Sequence, residues 1–203
     1  MGYGRLPAVR PYIPERIYLE EAAKDYPLTA SILKRLPGIP VEEIEDARSL
    51  IVGAGGRSPL LQGHPDPIGE GKRYLLLARD RGRSFKPFPE SEDYLSCDYF
   101  TLHLAEGCDM ECSYCILQAY LTNPLLTIYV NVEEMLAHLQ SFLDQNPGRL
   151  FRIGTGQLAD SLSLDPLTGF SEILIPFFAK QDHAVLELKT KSVRIDRLLP
   201  LNP

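Results

Sequence analysis

The stretch that decides how this chain reads is Cys108-Asp109-Met110-Glu111-Cys112-Ser113-Tyr114-Cys115. Three of the four cysteines fall within it, in the spacing C-x3-C-x2-C. Thiolates this close on one loop can converge on one metal centre, and cubane iron–sulfur clusters are held by cysteine thiolates. A cubane of four irons held by three cysteines leaves one iron open to another ligand. The alternatives need the fourth cysteine, Cys97. With the other three it gives either a zinc site, although such sites usually come as two C-x2–4-C knuckles, or a closed electron-transfer cluster. Cys97 stands apart, ahead of an apolar run, Tyr99-Phe100-Thr101-Leu102-His103-Leu104, that reads as a strand leading into the loop.

The composition fits that reading. At 203 residues the chain can bury a real core. No apolar run is long enough to span a bilayer, and the opening Met1-Gly2-Tyr3-Gly4-Arg5-Leu6-Pro7 lacks the apolar region of a secretory signal. These features point to the cytoplasm, where thiols stay reduced and an uneven cysteine cluster is a metal or redox site rather than a disulfide framework. The net charge of −6 argues against a protein that coats nucleic acid indiscriminately.

Outward from the loop, the pattern is α/β. Downstream, Ile128-Tyr129-Val130 is extended. Asn131 is placed to N-cap a helix from Val132 to about Gln145, with Glu133 and Glu134 in its first turn. Leu150 to Gly154 reads as a strand, Ser171 to Lys180 as a helix that Pro176 must kink or shorten, and Ala184 to Lys189 as a further strand. Upstream, Arg16 to Glu20 is a strand. Pro27 to Leu36 is a helix with Leu28, Ile32 and Leu36 on one face, closed by Pro37-Gly38. Pro40 to Ile44 is extended and Arg73 to Ala78 is a buried strand. The glycines Gly53, Gly55 and Gly56 lack the spacing of a dinucleotide fingerprint and read as a loop. Strands alternating with helices imply a parallel sheet, with the site in loops at the carboxyl ends of the strands. Three landmark loops sit there: Glu106 to Cys115, Thr155 to Asp160 and Thr190 to Ser192. A Pro-containing stretch from Lys86 to Glu90 places a boundary near Ser96, between an N-terminal α/β domain (1–96) and a second unit (97–203). The cations Lys72, Arg73, Arg79, Arg81, Arg83 and Lys86, opposed locally by Asp80, read either as a solvated loop or as a phosphate-contacting lip.

The cysteine spacing, with Tyr114 just before Cys115, resembles the signature of radical S-adenosylmethionine (radical SAM) enzymes. Within that group the chain resembles the spore photoproduct lyase family, through Ile17-Tyr18-Leu19-Glu20, Tyr26-Pro27-Leu28, Cys112-Ser113-Tyr114-Cys115-Ile116-Leu117-Gln118, Ile128-Tyr129-Val130-Asn131, Asp160-Ser161 and Thr190-Lys191-Ser192. The resemblance implies a partial parallel (β/α) barrel of radical SAM type, incomplete here, behind a small α/β domain. It implies a [4Fe–4S] cluster on Cys108, Cys112 and Cys115, and SAM in a cavity lined by Tyr114. Gly154-Thr155-Gly156-Gln157 would meet the SAM ammonium, Asp160 and Ser161 would either hydrogen-bond the cofactor or cap a turn, and Lys191 would meet the SAM carboxylate. The resemblance implies reductive cleavage of SAM to a 5′-deoxyadenosyl radical, for carbon–carbon lyase chemistry on a DNA photoproduct or related nucleic acid; the alternative is a non-catalytic metal- or cluster-binding protein or an inactive fragment. The Arg79, Arg81 and Arg83 region would touch that nucleic acid, and a ferredoxin or flavodoxin would supply the electron. Two positions depart from the family. No cysteine follows Cys115, where the family keeps a hydrogen donor near the position of Gln157, and Ile116 stands where the family has tyrosine.

Overall fold

The computed structural model describes residues 11–51, 58–89 and 98–201. Two sheets meet on a shared core. The first holds β1 (Arg16–Glu20), β2 (Val41–Ile44), β3 (Tyr74–Ala78), β6 (Ala105–Glu106) and β7 (Leu126–Tyr129), in the order β2-β1-β3-β7-β6. All pairs are parallel except β6 with β7. The second holds β4 (Phe85–Pro87), β5 (Tyr99–Leu102), β8 (Phe151–Gly154) and β9 (Ala184–Glu187), in that order, parallel from β5 to β9. β4 is an antiparallel edge strand, the position in a sheet that tolerates Pro87.

Apolar runs explain the placement. Ile17 and Leu75 to Leu77 are fully or almost fully buried, as expected of parallel strands covered on both faces. Helix α1 (Pro27–Arg35) starts on Pro27, where a missing N–H does no harm, and buries Leu28 and Ile32. Two short helices, α2 (Arg48–Ile51) and α3 (Pro67–Gly71), follow, and α4 (Leu117–Tyr120) follows the cysteines. Helix α5 (Val132–Asp144) buries Met135, Leu136, Leu139 and Leu143. Its Phe142 joins Phe85, Phe100 and Phe151 in an aromatic nest with centroids 5.0 to 5.6 Å apart. Helix α6 (Asp165–Thr168) and α7 (Phe170–Phe178) meet at Gly169, whose φ of 69° is left-handed and suits glycine. Pro176 lies inside α7, which ends two residues earlier than expected. Among the described residues, no helix is long and apolar enough to cross a membrane.

Several local expectations change. Asn131 makes no side-chain cap on α5. Its Oδ1 accepts from the Asp80 backbone N–H (2.7 Å), and its Nδ2 donates to the Asp80 carbonyl (3.0 Å) and to Glu134 (2.9 Å). The tertiary partner outcompetes the local one. The boundary expected near Ser96 falls outside the described residues, as do Cys97 and Gly53, Gly55 and Gly56. Strand pairing does not follow a division there: β7 pairs with β3, and one core runs from Ile17 to Ala184.

The strand expected from Tyr99 to Leu104 stops at Leu102. His103 donates its backbone N–H to Ser84 (2.8 Å), and the Leu104 carbonyl accepts from Tyr129 (2.9 Å), so the chain crosses from one sheet to the other as β6. Gly107 then turns it with a φ of 78°, and its N–H donates to the Leu158 carbonyl (2.9 Å). The cysteine loop therefore leaves an antiparallel strand in the first sheet while pinned to a loop of the second.

Candidate cluster and cofactor cleft

The pinning shapes a cleft of about 730 Å³. Cys108, Cys112, Tyr114 and Cys115 line one wall; Gly156, Gln157, Asp160 and Lys191 line the other. The three cysteines are free and half-buried. Cys108 Sγ accepts the Met110 backbone N–H at 3.4 Å and lies 3.6 Å from Ser163 Oγ. Burial pushes the Cys108 thiol up, and these two hydrogen bonds oppose that by favouring the thiolate. Downstream, Cys115 N–H donates to the Cys112 carbonyl (3.0 Å), tightening the loop's second half. Among the described residues, no three cysteine, histidine or carboxylate side chains form a set placed to hold a metal ion.

Across the cleft, the turn after β8 has a different logic from the expected one. A Cβ on Gly154 would fall 2.0 Å from the Tyr99 hydroxyl, and one on Gly156 would fall 2.9 Å from Ser161 Oγ and from Lys189 Cβ. Both glycines are needed by the protein's own packing. Thr155 is buried, and its hydroxyl donates to Ser161 Oγ (2.9 Å). Ser161 Oγ also accepts the Lys189 backbone N–H (3.0 Å). Asp160 Oδ1 accepts from the backbones of Leu162 and Ser163 and from the Thr190 hydroxyl, and Oδ2 accepts the Lys191 backbone N–H (2.7 Å). Asp160 and Ser161 thus tie the loop after β8 to the loop after β9. Their hydrogen bonds hold the wall in shape.

Two side chains remain turned to the cleft with unmet capacity. Gln157 Oε1 is buried and has no hydrogen-bond partner among the described residues. Lys191 extends its ammonium over the Tyr114 ring, 5.7 Å from the centroid, bridging the two walls. Tyr114 is otherwise 73% exposed. His103 is a core histidine, 3% exposed, with Nε2 3.0 Å from Thr101 Oγ1. Burial, helped by Lys86 and opposed by Asp80, lowers its pKa to about 4.

The basic stretch is not a free lip. Arg73 pairs with Glu15 and Glu70, Arg79 with Glu134, and Arg81 with both Glu20 and Asp46. Carboxylates outside the stretch, all but Glu70 distant in sequence, supply the opposition that local reading assigned to Asp80 alone. Lys72 donates to the Met110 carbonyl at 2.5 Å, under the cysteine loop. Sequence reading missed this contact, and it missed Arg194, which pairs with Asp109 at 2.6 Å. No local spacing links those partners. The one available signal was charge: Asp109 sits inside the cluster motif, and Arg194 follows Lys191 by three residues.

A parallel α/β scaffold with a three-cysteine loop facing the turns after two parallel strands is the architecture of a radical SAM partial barrel. The chain belongs to the spore photoproduct lyase family, whose model, described as "Spore photoproduct lyase", matches residues 12–202. It is 26% identical over 193 residues to the spore photoproduct lyase of Geobacillus sp. (strain Y412MC61), covering 94% of this chain and 53% of that protein. It is 25% identical over 191 residues to that of Bacillus subtilis (strain 168), covering 93% and 53%. The fold matches a doubly substituted spore photoproduct lyase with bound AdoMet and dinucleoside spore photoproduct at a TM-score of 0.76 and 25% identity, over 94% of this chain and 54% of that one. A spore photoproduct lyase complexed with dinucleoside spore photoproduct matches at 0.75 and 25% identity, over the same shares. The chain spans about half the length of the curated relatives it matches.

Proposed function

We propose that this chain carries the radical-initiating site of a spore photoproduct lyase-like protein, with a [4Fe–4S] cluster on Cys108, Cys112 and Cys115 and SAM beside it. The observation that carries the reading is that all three cysteines, Gln157 and Lys191 line one cleft. The chemistry of the donors suits the cluster, although the three thiols are not drawn together to hold a metal ion: all three line one cleft, and a backbone N–H donates to the Cys108 sulfur, the kind of hydrogen bond that tunes such centres. When bound, the cluster and SAM together supply a 5′-deoxyadenosyl radical. The protein's own part is binding, orientation and exclusion of water. Gln157 Oε1, buried and unpartnered, offers an acceptor to the SAM ammonium, and Lys191 offers a cation to its carboxylate. Tyr114 forms the mouth on the substrate side. Thr155, Asp160 and Ser161 fix the distance between the two SAM-facing turns, and Gly154 and Gly156 let those turns pack.

The relatives bind a dinucleoside photoproduct, so a nucleic-acid base at the Tyr114 mouth is the substrate class we assign. Arg79 and Arg81 are engaged within the chain, which leaves Arg83 as the surface cation of that group with no ion pair described. Reducing power would come from a ferredoxin or flavodoxin in a reducing, cytoplasmic setting. With no cysteine after Cys115 and Ile116 in the tyrosine's place, the site would initiate radical chemistry without the family's usual return of hydrogen. Anaerobic reconstitution with iron and sulfide, then dithionite and SAM, tests this. The expected product is 5′-deoxyadenosine, formed without efficient repair of a dinucleoside photoproduct; a reconstituted protein that forms none refutes the reading. A second reading, a cluster-holding protein without catalysis, is favoured by those same two departures and predicts a stable cluster with no SAM cleavage.

A further inference from the structure

Two cations from distant parts of the chain reach the cysteine loop. Lys72, just after α3, donates to the carbonyl of Met110 (2.5 Å). Its own carbonyl accepts the Tyr12 hydroxyl (2.9 Å), so the lysine backbone is held as well. Arg194, beyond β9, pairs with Asp109 Oδ2 (2.6 Å), and the same guanidinium donates to the Ser163 carbonyl. Ser163 in turn lies against the Cys108 sulfur. Both partners of the ion pair are largely buried, with Asp109 7% and Arg194 14% exposed at the side chain. Asp109 Oδ1 is buried without a hydrogen-bond partner among the described residues. Arg194 is therefore the strong neutralising contact of a carboxylate adjacent in sequence to a cysteine of the loop.

We infer that Lys72 and Arg194 are positioning residues that clamp the cysteine loop at Met110 and Asp109 and set the reduction potential of the centre it holds. The inference rests on the cluster assignment above. Net charge and hydrogen bonding around a cluster set its potential, and groups behind the ligands fix ligand orientation. The charge argument fixes signs. Arg194→Gln leaves the Asp109 carboxylate uncompensated and disfavours the added electron, so the potential falls. Asp109→Asn leaves the guanidinium uncompensated, so the potential rises. Lys72→Met removes a cation and the Met110 anchor, so the potential falls and the loop loosens.

The test is anaerobic reconstitution of the full chain and its variants, iron and sulfide counts, and an EPR-monitored redox titration. Arg194→Gln and Asp109→Asn are expected to move the midpoint in opposite directions. Each would change the reduced-to-oxidised ratio at a fixed potential about tenfold, which is about 59 mV for one electron. Arg194→Lys and Lys72→Arg are expected to restore most of the parent value. Shifts of the same sign in the opposed pair, or unmoved midpoints at full cluster content, overturn the inference. If a thermal melt shows that Arg194→Gln does not fold, Asp109→Asn decides alone: a raised midpoint supports the clamp and an unchanged one overturns it. A parent protein that assembles no cluster refutes the cluster assignment itself, whereas a parent cluster with unmoved variants refutes only the clamp.

Discussion

Each sheet ends in a polar cluster at the carboxyl edge of its parallel strands, and the two clusters are opposites. At the end of the β2-β1-β3-β7 strands Glu20, Arg79, Arg81 and Asn131 are all paired. Glu20, 1% exposed, accepts the backbone N–H groups of Ala47 (3.1 Å) and Arg79 (2.8 Å) and pairs with Arg81 (2.9 Å). Arg79 donates to Tyr26 (2.8 Å) and Glu134 (2.9 Å), and Asn131 closes the gap to Asp80. At the end of β8 and β9 the polar groups line an open cleft, and Gln157 Oε1 has no partner. Open α/β sheets usually bind ligands outside the carboxyl ends of their strands. Here one edge is closed by its own salt bridges and the other is left open. Saturation marks structure, and an unmet buried acceptor marks a place for a ligand.

The comparison makes graded predictions. The largest effect is at the open edge. Cys112→Ala should abolish reconstituted iron and sulfide, and Cys97→Ala should leave them intact; loss of metal in both would restore the four-cysteine alternatives. At the closed edge, Glu20→Leu removes the partner of Arg81 and strands two backbone N–H groups. Broken buried pairs cost about 3–5 kcal/mol, and the half-exposed Arg81 puts this one at the low end, about 3 kcal/mol. Urea unfolding measures it, and a change below about 1 kcal/mol would mean that the network does not hold this edge together.

His103, just past β5, adds a pH term. Its folded pKa of about 4 lies below the ordinary value of 6.5, so the unfolded chain binds a proton first as pH falls. Stability should be full above pH 6.5 and decline as pH drops toward 4, by about 3 kcal/mol in total at about 1.4 kcal/mol per unit. His103→Gln should flatten that part of the stability profile. Two smaller effects return to the cleft. Gln157→Leu should leave unfolding unchanged or slightly improved, because it removes an unsatisfied oxygen, while weakening SAM binding about tenfold by equilibrium dialysis. Unchanged binding would detach Gln157 from the cofactor. Lys191→Ala removes an exposed contact with Tyr114 worth about 0.5–1 kcal/mol, and should shift the melt little while raising the SAM dissociation constant severalfold.

Much of this was legible in the sequence where local physics governs. β1, β3, β8 and α1 come out within a residue or two of the expected ranges, because apolar runs and Pro27 fix them. The cysteine loop was read from spacing, and Gln157 and Lys191 from the resemblance. What was hidden depended on distant partners. Asn131 looks like a cap until Asp80, far away in sequence, takes its amide. Arg79 and Arg81 look like a phosphate lip until Glu134 and Glu20 pair with them. Gly154 and Gly156 read as ligand-facing, and only the structure shows that Tyr99 and Ser161 also crowd the space around them, with Gly156 still lining the cleft. The crossing from β5 to β6 was also invisible, since Tyr99 to Leu104 reads as one extended run and only pairing shows where the strand changes sheets.

The central claim is that one cleft brings the cysteine-held centre and SAM into contact. The EPR spectrum of the reconstituted, reduced protein, recorded with and without SAM, tests it most directly. SAM should change the g-values of the cluster signal in the parent, with Gln157→Leu needing about ten times more SAM for the same change. A cluster signal of full intensity that SAM leaves unchanged at saturating concentration would contradict it.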